Sequence, residues 1–551
     1  MHFRYSEEVP LKKDTLLKST LILAAAALVA RALGIFQRVP LDYLMDDIGI
    51  IYYNNANGIY LLLLVVATAG IPSAVSKMVS GRYAVGRVSE AQQVYRAALL
   101  FGAAAGVIIT LGLWLIAPFI ASSILKEPDA ASAIRAIAPS LLLFPLIAMM
   151  RGYFQGRQFM TAGGISQIVE QILRVLAAVL IAWVFYSMDK TDERGIASGA
   201  SFGSVFGSIG AFAIMMYYAR KLKASDKATE EKRRDPSRSL SLSSIYRELF
   251  GLSIPIVMTA ITVQLLYTLD NMMIKSITVG HFAIEQINHW AAVYGMNAQS
   301  IAGIPIILAV ALSQSIIPLI SSSHAVGDKE QVGRQASLAV RIALYSGMPV
   351  VLILGVGAYS VNGLLFQNAS GAPIVAMLTL GTLFQIGMMV TNSILLGIGE
   401  PKKATMHAVT GVILKVILSF ALGPVFGVYG IIAATTICFV WALTFNIMSL
   451  KKRTKFKVIG DRWPAFLATS AIVAAALAFL EWAVLAIAGG LPPKIAFFLS
   501  CAVMGCALAV LYPALLVLLK VVSPEEIATY PRPVRRLLAP FMKLRSRSKA
   551  A

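Results

Sequence analysis

Long apolar stretches recur along the 551-residue chain from near its first residue to near its last. Each stretch holds roughly 20 residues with few charges, which is the length that an α-helix needs to cross the hydrocarbon core of a bilayer. The pattern predicts an all-α polytopic membrane protein with about 14 transmembrane helices. The predicted spans are residues 17–37, 50–76, 94–121, 133–155, 164–187, 196–220, 247–276, 288–321, 335–363, 372–396, 404–426, 428–450, 464–489 and 494–521.

Composition and charge agree with a membrane protein. The chain is 58% hydrophobic and 14% charged, whereas a soluble domain carries about 25% charged residues. Its formal net charge of +21 would suit nucleic-acid binding, but the basic residues concentrate in alternate loops and in the tails. The other loops are short and hold acidic residues such as Asp46, Glu127 and Asp189. This is the positive-inside distribution, so we expect no nucleic-acid partner and both termini in the cytosol.

Motifs for enzymatic chemistry are missing from the sequence. The three cysteines, Cys438, Cys501 and Cys506, fall in predicted spans and show no metal-ligand spacing. The chain has no H-E-x-x-H, Walker-A or G-x-S-x-G motif. A polytopic glycosyltransferase or polymerase would need a catalytic carboxylate or histidine in a large outer loop. We therefore predict a transporter with no catalytic residues, no metal site and no cofactor.

Two halves of the chain share an order of short motifs. Ala84–Gly86 is matched by Ala325–Gly327, and Arg96 is matched by Arg341. Such repeats are usual in secondary transporters, which bind substrate near the bilayer midplane between the halves. The predicted organisation is a first six-helix lobe (1–220), a basic cytosolic linker (221–246), a second six-helix lobe (247–450), two further helices (451–521) and a basic cytosolic tail (522–551).

Two arginines in the first predicted span are candidates for binding an anion. An arginine in hydrocarbon costs about 2.5–3.5 kcal/mol on insertion scales, so Arg31 needs a favourable partner. Arg38 follows seven residues later, on nearly the same helical face. Arginine offers several planar donors to phosphate, so the pair predicts a hydrated cavity that holds an anionic group. The alternative is a pair of structural ion pairs, Arg38 with Asp42 and Arg31 with Asp270.

Polar residues in the fifth predicted span form one stripe. Gln167, Glu170, Gln171 and Arg174 follow Ser166 at spacings that place them on one side of an otherwise apolar helix. Such a stripe is unsuited to lipid contact, so we predict that it lines the cavity. The alternative is a Glu170–Arg174 pair at i,i+4 that only steadies the helix.

Three further polar residues in spans are substrate-binding candidates. By the repeat offset, Asp270 corresponds to the Arg31 region, so the two could form a gate that an arriving anion opens, or a structural salt bridge. Lys415 is isolated in the eleventh span and could bind substrate, pair with Asp270 or snorkel to the interface. Asn55 belongs to a Tyr- and Asn-rich run that could bind sugar or peptide groups, or anchor the helix at the interface.

Three motifs together resemble one known family. They are Arg31-Ala-Leu-Gly34 followed by Arg38-Val-Pro40, then Gly70-Ile-Pro-Ser-Ala-Val-Ser-Lys77, and Arg151-Gly-Tyr-Phe-Gln-Gly156 followed by the fifth-span stripe. The set resembles the polysaccharide-transport branch of the multidrug/oligosaccharidyl-lipid/polysaccharide (MOP) exporter superfamily. Within that branch it is similar to the stage V sporulation protein B / YtgP group, which is related to the MurJ lipid II flippases.

The resemblance implies a fold and an activity. The fold would be a V of two six-helix lobes, with the two last helices forming a groove for a lipid tail. The activity would be that of a flippase in the bacterial cell membrane, moving the undecaprenyl-pyrophosphate-linked peptidoglycan precursor lipid II from the inner to the outer leaflet by alternating access. Arg31 and Arg38 match the first-helix arginines that the family uses for the charged head. The implied partners are the lipid-linked oligosaccharide, the bilayer and the cell-wall synthesis machinery, with coupling to an ion or to the membrane potential.

Two rival activities share this fold. The same cavity chemistry would serve a flippase for another polyprenyl-linked polysaccharide or teichoic precursor. A multidrug/cation antiporter would favour a cavity dominated by carboxylates and about 12 spans, which the arginines and extra helices oppose. Some relatives hold sodium among the seventh, eleventh and twelfth helices, but Lys415 places a cation where a carboxylate would help. Asp270 could match one ligand of that site, but because of Lys415 we do not extend the sodium site to this chain.

Overall fold

The protein is helical throughout the part that the structure describes. The computed structural model describes residues 29–522 except 31, 35, 69, 231–239, 326, 368, 455 and 457, and these residues contain no β-strand. They divide into two compact units, the first ending at Val279 and the second beginning at Gly280. The prediction of an all-α protein is therefore confirmed.

The first unit contains nine helices among its described residues. They are α1 (helical at 29–30, 32–34 and 36–44), α2 (Asp47–Thr68), α3 (Ile71–Ala84), α4 (Val88–Phe119), α5 (Ala130–Ile137), α6 (Ser140–Gly156), α7 (Met160–Met188), α8 (Glu193–Glu230) and α9 (Leu242–Thr278). A short π-helical turn, Ile120–Ile124, follows α4.

The second unit also contains nine α-helices in its described part. They are α10 (Ile284–Val293), α11 (Gln299–Ala325), α12 (Lys329–Val356), α13 (Ala358–Leu365), α14 (Ala372–Gly397), α15 (Pro401–Phe426), α16 (Val428–Arg453), α17 (Trp463–Ile487) and α18 (Pro493–Leu518). A π-helical turn, Tyr294–Ala298, joins α10 to α11.

Eleven helical segments in the described residues are long and apolar enough to cross a membrane. They match the second to sixth and the ninth to fourteenth predicted spans. The predicted first span lies mostly before residue 29, outside the described residues. Helix α9 covers the predicted seventh span, and α10, the turn at Tyr294–Ala298 and α11 together cover the eighth. The chain is thus a multi-pass membrane protein, while the predicted number of 14 spans is not confirmed.

Helix α7 shows why these segments suit a bilayer on one side and protein on the other. Its outer face carries exposed apolar side chains at three- and four-residue spacing, namely Ile172, Leu176, Leu180 and Trp183. Its opposite face buries Ser166, Glu170, Ala178 and Ala182. An apolar face of this kind fits lipid, whereas polar side chains in hydrocarbon need protein or water around them. The polar stripe predicted from the sequence therefore points into the unit.

Glycines of α8 bring that inner face very close to its neighbour. A Cβ placed on Gly203 would lie 2.4 Å from the backbone nitrogen of Ala178, and one on Gly207 would lie 2.8 Å from the backbone oxygen of Glu170. Small residues at four-residue spacing allow such backbone contact between membrane helices. The glycine row of α8 therefore fixes the position of the α7 stripe.

The predicted linker differs from the structure at both ends. Helix α8 continues to Glu230 and α9 begins at Leu242, so residues 221–230 and 242–246 of the predicted 221–246 linker are helical. The extension contains Ala, Lys and Glu and no Gly or Pro, and these residue types favour helix. The units also divide after α9, whereas the predicted lobes divide before it.

Backbone conformation repeats between the units. Left-handed residues occur at Gly86, Lys126 and Gln158 in the first unit and at Gly327, Gly371 and Gly399 in the second. The three pairs are 241, 245 and 241 residues apart, which is the offset of the sequence motifs. Residues other than glycine rarely adopt positive φ. Turns with positive φ at the same offset in both units therefore agree with two related halves.

Candidate functional site

A cluster of three charged residues joins α6 to α7 in the first unit, with Glu170 buried and Arg151 and Arg174 partly buried. The Glu170 carboxylate has a side-chain exposure of only 5%, and its Oε2 lies 2.9 Å from Nη2 of Arg151. Its Oε1 lies 2.9 Å from Nη2 of Arg174, one turn further along α7. Two guanidiniums thus share one carboxylate, so the cluster carries an excess of one positive charge.

Neutral groups hold the two arginines in place. Arg174 Nη2 donates to the Tyr60 hydroxyl at 2.6 Å, and its guanidinium carbon lies 5.3 Å from the centre of the Tyr60 ring. Arg151 Nη2 also donates to Ser166 Oγ at 2.9 Å, and Ser166 donates in turn to the Ala211 carbonyl at 3.2 Å. Contacts from α2, α7 and α8 therefore preorganise the cluster.

The cluster keeps donors available for a ligand. The Nε atoms of Arg151 and Arg174 are buried and have no hydrogen-bond acceptor among the described residues. Buried polar groups are normally hydrogen-bonded, and a buried donor of a charged group is costly to leave without an acceptor. An excess positive charge with two open N–H groups has the chemistry to accept an anion.

The cluster lies deep in the membrane-spanning region. Arg174 is the central residue of α7, which runs from Met160 to Met188, so it lies about 21 Å from either end of the helix. Glu170 is one turn nearer the first end. A cation at this depth is costly next to lipid, which makes a polar surrounding necessary.

Of the other predicted residues on the helices before α9, Gln171 contacts this cluster directly, and Arg38 is related to it through Tyr53. Arg38 is partly buried, and its charge and that of Arg174 both act on the Tyr53 hydroxyl. Gln171 Nε2 donates to Glu170 Oε1 at 3.4 Å. Asn55 is buried and Gln167 is half-buried. Arg31 lies outside the described residues, so its predicted contacts stay a prediction.

Asp270 is fully buried on α9, a helix that packs on α2. Two residues earlier on α9, Thr268 Oγ1 donates to the Gly58 carbonyl at 3.3 Å. Gly58 precedes Tyr60 on α2 by two residues, so α2 connects the Asp270 segment to the residue that contacts Arg174. The Arg31–Asp270 pair itself falls partly outside the described residues.

Lys415 is fully buried in the second unit, on α15. It stands 14 residues after the first residue of its helix, as Arg174 does on α7. Each unit therefore carries a cation at the corresponding position of a corresponding helix, partly buried as Arg174 and fully buried as Lys415. Because Lys415 has no exposed surface, its amine does not reach the interface as a snorkelling lysine would.

Sequence reasoning missed two groups of residues. In the sequence Arg151 stands out only as the first residue of a family motif, near the end of the predicted span 133–155. Asn446 was not singled out at all, yet its Oδ1 lies 2.8 Å from His407 Nδ1 and its Nδ2 donates to Asn392 Oδ1 at 2.7 Å and to Thr391 Oγ1 at 3.1 Å. His407 and Asn392 stand 241 residues after Ser166 and Arg151, a correspondence that the repeat could have revealed.

The described residues contain no group of three or more His, Cys, Asp or Glu side chains that could hold a metal ion. The site described above is built from guanidinium, carboxylate, amide and hydroxyl groups. It suits noncovalent recognition of an anion.

Comparisons with known proteins agree with this architecture. The family model for "Polysaccharide biosynthesis protein" matches residues 16–324. The chain is 28% identical over 490 residues to the Lipid II flippase MurJ of Bacillus subtilis (strain 168), covering 85% of this chain and 88% of that protein. It is 24% identical over 430 residues to Stage V sporulation protein B of the same organism, covering 76% and 80%.

Solved structures share the fold. The inward closed conformation of Lipid II flippase MurJ matches with a TM-score of 0.65 at 14% identity, covering 91% of this chain and 100% of that one. An inward-facing MATE family multidrug resistance transporter of the MOP superfamily matches with a TM-score of 0.64 at 12% identity, covering 79% and 99%. These relatives are named as a flippase and a transporter, not as enzymes, and the predicted resemblance is confirmed.

Proposed function

Because the chain belongs to the family of polysaccharide biosynthesis proteins, we propose that it is a lipid flippase and that it moves lipid II from the inner to the outer leaflet of the bacterial plasma membrane. The relative that supports this substrate is named a lipid II flippase and matches over most of both chains. In this proposal both termini lie in the cytosol, as the distribution of basic residues predicts.

The observation that carries the proposal is the Arg151–Glu170–Arg174 cluster. A pyrophosphate cannot enter hydrocarbon without groups that replace its water, and preorganised donors do so at little reorganisation cost. The cluster offers an excess positive charge and two buried Nε donors on membrane-spanning helices. Each charge-assisted hydrogen bond would contribute about 1.5–3 kcal/mol, so a few of them would hold the head while the tail stays in lipid.

Glu170 gives this site a means of release. The carboxylate pairs with both arginines, and an arriving pyrophosphate would compete for the same N–H groups. Like-charge repulsion between Glu170 and the ligand then keeps the affinity moderate. Moderate affinity is what transport requires, since a tightly held head would not leave.

The remaining predicted residues complete the proposed path. Arg31 and Arg38 bind the head together with the cluster, and Asn55, Gln167 and Gln171 contact its polar groups. Asp270 and Lys415 act as gate residues. An inside-negative membrane potential, worth about 2.3 kcal/mol per charge for each 100 mV, favours outward movement of the anionic head, and we propose this coupling without an additional cofactor.

A leaflet-accessibility assay tests the function. Labelled lipid II at the outer leaflet is measured in cells depleted of other flippases that express the wild-type chain, Arg174→Gln or Arg194→Gln. Arg194 makes an exposed pair with Asp129 and serves as a control of equal charge change. We expect at least about a tenfold loss with Arg174→Gln, the effect of one lost charge-assisted hydrogen bond, and wild-type translocation with Arg194→Gln.

Protein abundance in the membrane is measured in parallel. Normal translocation by an abundant Arg174→Gln protein would remove the cluster from the path. A second arm uses a labelled polyprenyl-linked teichoic precursor, and translocation of that lipid instead of lipid II would show that the proposed substrate is wrong.

A further inference from the structure

A second basic site lies on the surface of the first unit, away from the charged cluster. It is a cavity of about 490 Å³ between α4, α6 and α8. Arg96, Arg220 and Lys223 are exposed and line its mouth, while Tyr95 and Tyr153 belong to its wall. None of the three cluster residues lines it. Its size is within the roughly 300–1,000 Å³ of small-molecule sites.

The three cations of this cavity have no acidic partner among the described residues, and no carboxylate lines the cavity. Two arginines outside the cavity, by contrast, do have acidic partners: Arg82 lies 2.8 Å from Glu248 and Arg87 lies 3.8 Å from Glu90. Three cations that line one cavity without a carboxylate among the described lining residues raise the local positive potential and attract an anion.

The inner wall of the cavity is aromatic and apolar. Tyr95 and Tyr153 stack with ring centres 4.0 Å apart and planes at 14°, and Phe154 meets the Tyr153 ring edge-on at 6.2 Å. Leu99 and Met216 extend the apolar surface. The ligand that fits must therefore be anionic at one end and apolar at the other.

The cavity also lies where membrane spans end. Arg220 and Lys223 are in the last turns of the span Glu193–Ala224, and Arg96 is eight residues into the span that begins at Val88. Tyrosine with arginine and lysine at this level is the usual composition of the membrane interface. We propose that the cavity binds the phosphate of an anionic glycerophospholipid, with Arg96, Arg220 and Lys223 on the phosphodiester and the glycerol and acyl ends against Tyr95, Leu99 and Met216.

The second unit provides an internal comparison. A cavity of about 600 Å³ lies between α12 and α16 and is lined by Arg334, Arg341 and Lys451. Arg341 is the sequence counterpart of Arg96. This cavity also contains Glu330, whose negative charge opposes an anion. The cavity of the first unit is therefore the stronger site of the two.

Binding of short-chain lipids to the purified full chain tests the proposal. Dihexanoyl-phosphatidylglycerol is titrated below its micelle concentration and followed by microscale thermophoresis, beside dihexanoyl-phosphatidylcholine and soluble glycerol phosphate. We expect phosphatidylglycerol to bind at least about tenfold more tightly than either comparison ligand, because only it combines an anionic head with apolar chains.

Variants locate the site. Arg96→Gln/Arg220→Gln should weaken phosphatidylglycerol binding by about tenfold or more, and Ala219→Glu, which places a carboxylate in the cavity, should do the same. Arg87→Gln/Arg247→Gln, an equal charge change at exposed positions outside the cavity, should stay within about twofold. Arg174→Gln should also leave binding unchanged, which separates this lipid from the transported one.

Three results would overturn the proposal. Equal weakening by the control pair would mean nonspecific charge attraction. Equal affinity for phosphatidylcholine would mean that the cations do not select the ligand. Equal affinity for glycerol phosphate would assign the cavity to a soluble phosphate instead of a lipid.

Discussion

The carboxylate of Glu170 reaches from α7 to Arg151 on α6 and forms a 2.9 Å ion pair inside the first unit. The same carboxylate also pairs with Arg174, so one acidic group neutralises part of the charge of two basic ones. A buried ion pair of this kind is weak evidence for stability by itself. Removing one partner is nevertheless destabilising, because the other charge is then left buried without a counter-charge.

The first prediction concerns this carboxylate. Glu170→Gln leaves two partly buried guanidiniums without a counter-charge, so we expect a loss of about 3–5 kcal/mol of stability, seen as a lower melting temperature of the detergent-solubilised protein. Glu248→Gln is the control, because its pair with Arg82 is exposed and should contribute about 0–1 kcal/mol. Equal melting temperatures for Glu170→Gln and Glu248→Gln would contradict the prediction.

The second prediction separates positioning from stability. Tyr60→Phe keeps the ring beneath Arg174 but removes the hydroxyl that accepts its 2.6 Å hydrogen bond. Tyr246→Phe removes a hydroxyl that donates to the Ala97 carbonyl at 3.1 Å, away from the cluster. Each change should cost about 1 kcal/mol of stability, whereas only Tyr60→Phe should reduce outer-leaflet lipid II. A similar decrease with Tyr246→Phe would mean that the transport loss follows stability alone.

The third prediction tests the close packing of α7 and α8. Gly203→Ala places a methyl group 2.4 Å from the Ala178 nitrogen, so the helices must separate, at a cost of about 1–3 kcal/mol. Gly112→Ala on α4 meets no atom within 4 Å and should stabilise by about 0.5–1 kcal/mol through helix propensity. Thermal unfolding of the two variants should therefore shift in opposite directions, and a stabilised Gly203→Ala would disprove the close contact.

The fourth prediction concerns the amide that links three helices of the second unit. Asn446→Ala removes the partner of His407, Asn392 and Thr391 at once. Thr391 Oγ1 still donates to the Gly387 carbonyl, whereas His407 and Asn392 lose a buried partner. Buried polar groups left unpaired cost about 1–3 kcal/mol each, so we expect a loss of at least about 2 kcal/mol. Thr444→Ala, on the same helix, removes only a bond to its own helix, the Val440 carbonyl. Measured unfolding should show little change for Thr444→Ala, and a similar value for both would count against the network.

Helix existence and helix faces were predictable from the sequence, because hydrophobic periodicity reports directly on lipid and protein contact. The stripe Gln167–Glu170–Gln171–Arg174 is the clearest example, since its spacing predicted an inward face and the structure confirms that Glu170 is buried. Its partners were not predictable, because periodicity gives the orientation of one helix and carries no information on its neighbours. Tyr60 and Arg151 reach the stripe from α2 and α6, which only the fold brings together.

The internal repeat is likewise only partly visible in the sequence. Gly86 and Gly327 mark one shared turn in both halves of the sequence, and both adopt positive φ. At the other two shared turns the first unit has Lys126 and Gln158, with φ of 60° and 65°, where the second has Gly371 and Gly399. Lysine and glutamine do not signal a left-handed turn, so these equivalences emerge only from backbone angles.

The contact between Gly203 and Ala178 also has a mechanical meaning. Two helices whose backbones are in contact cannot slide along each other without first separating. We therefore expect α7 and α8 to move as one rigid body. If Arg174 binds the substrate head as proposed, the movement of that residue requires α7 and α8 to move together.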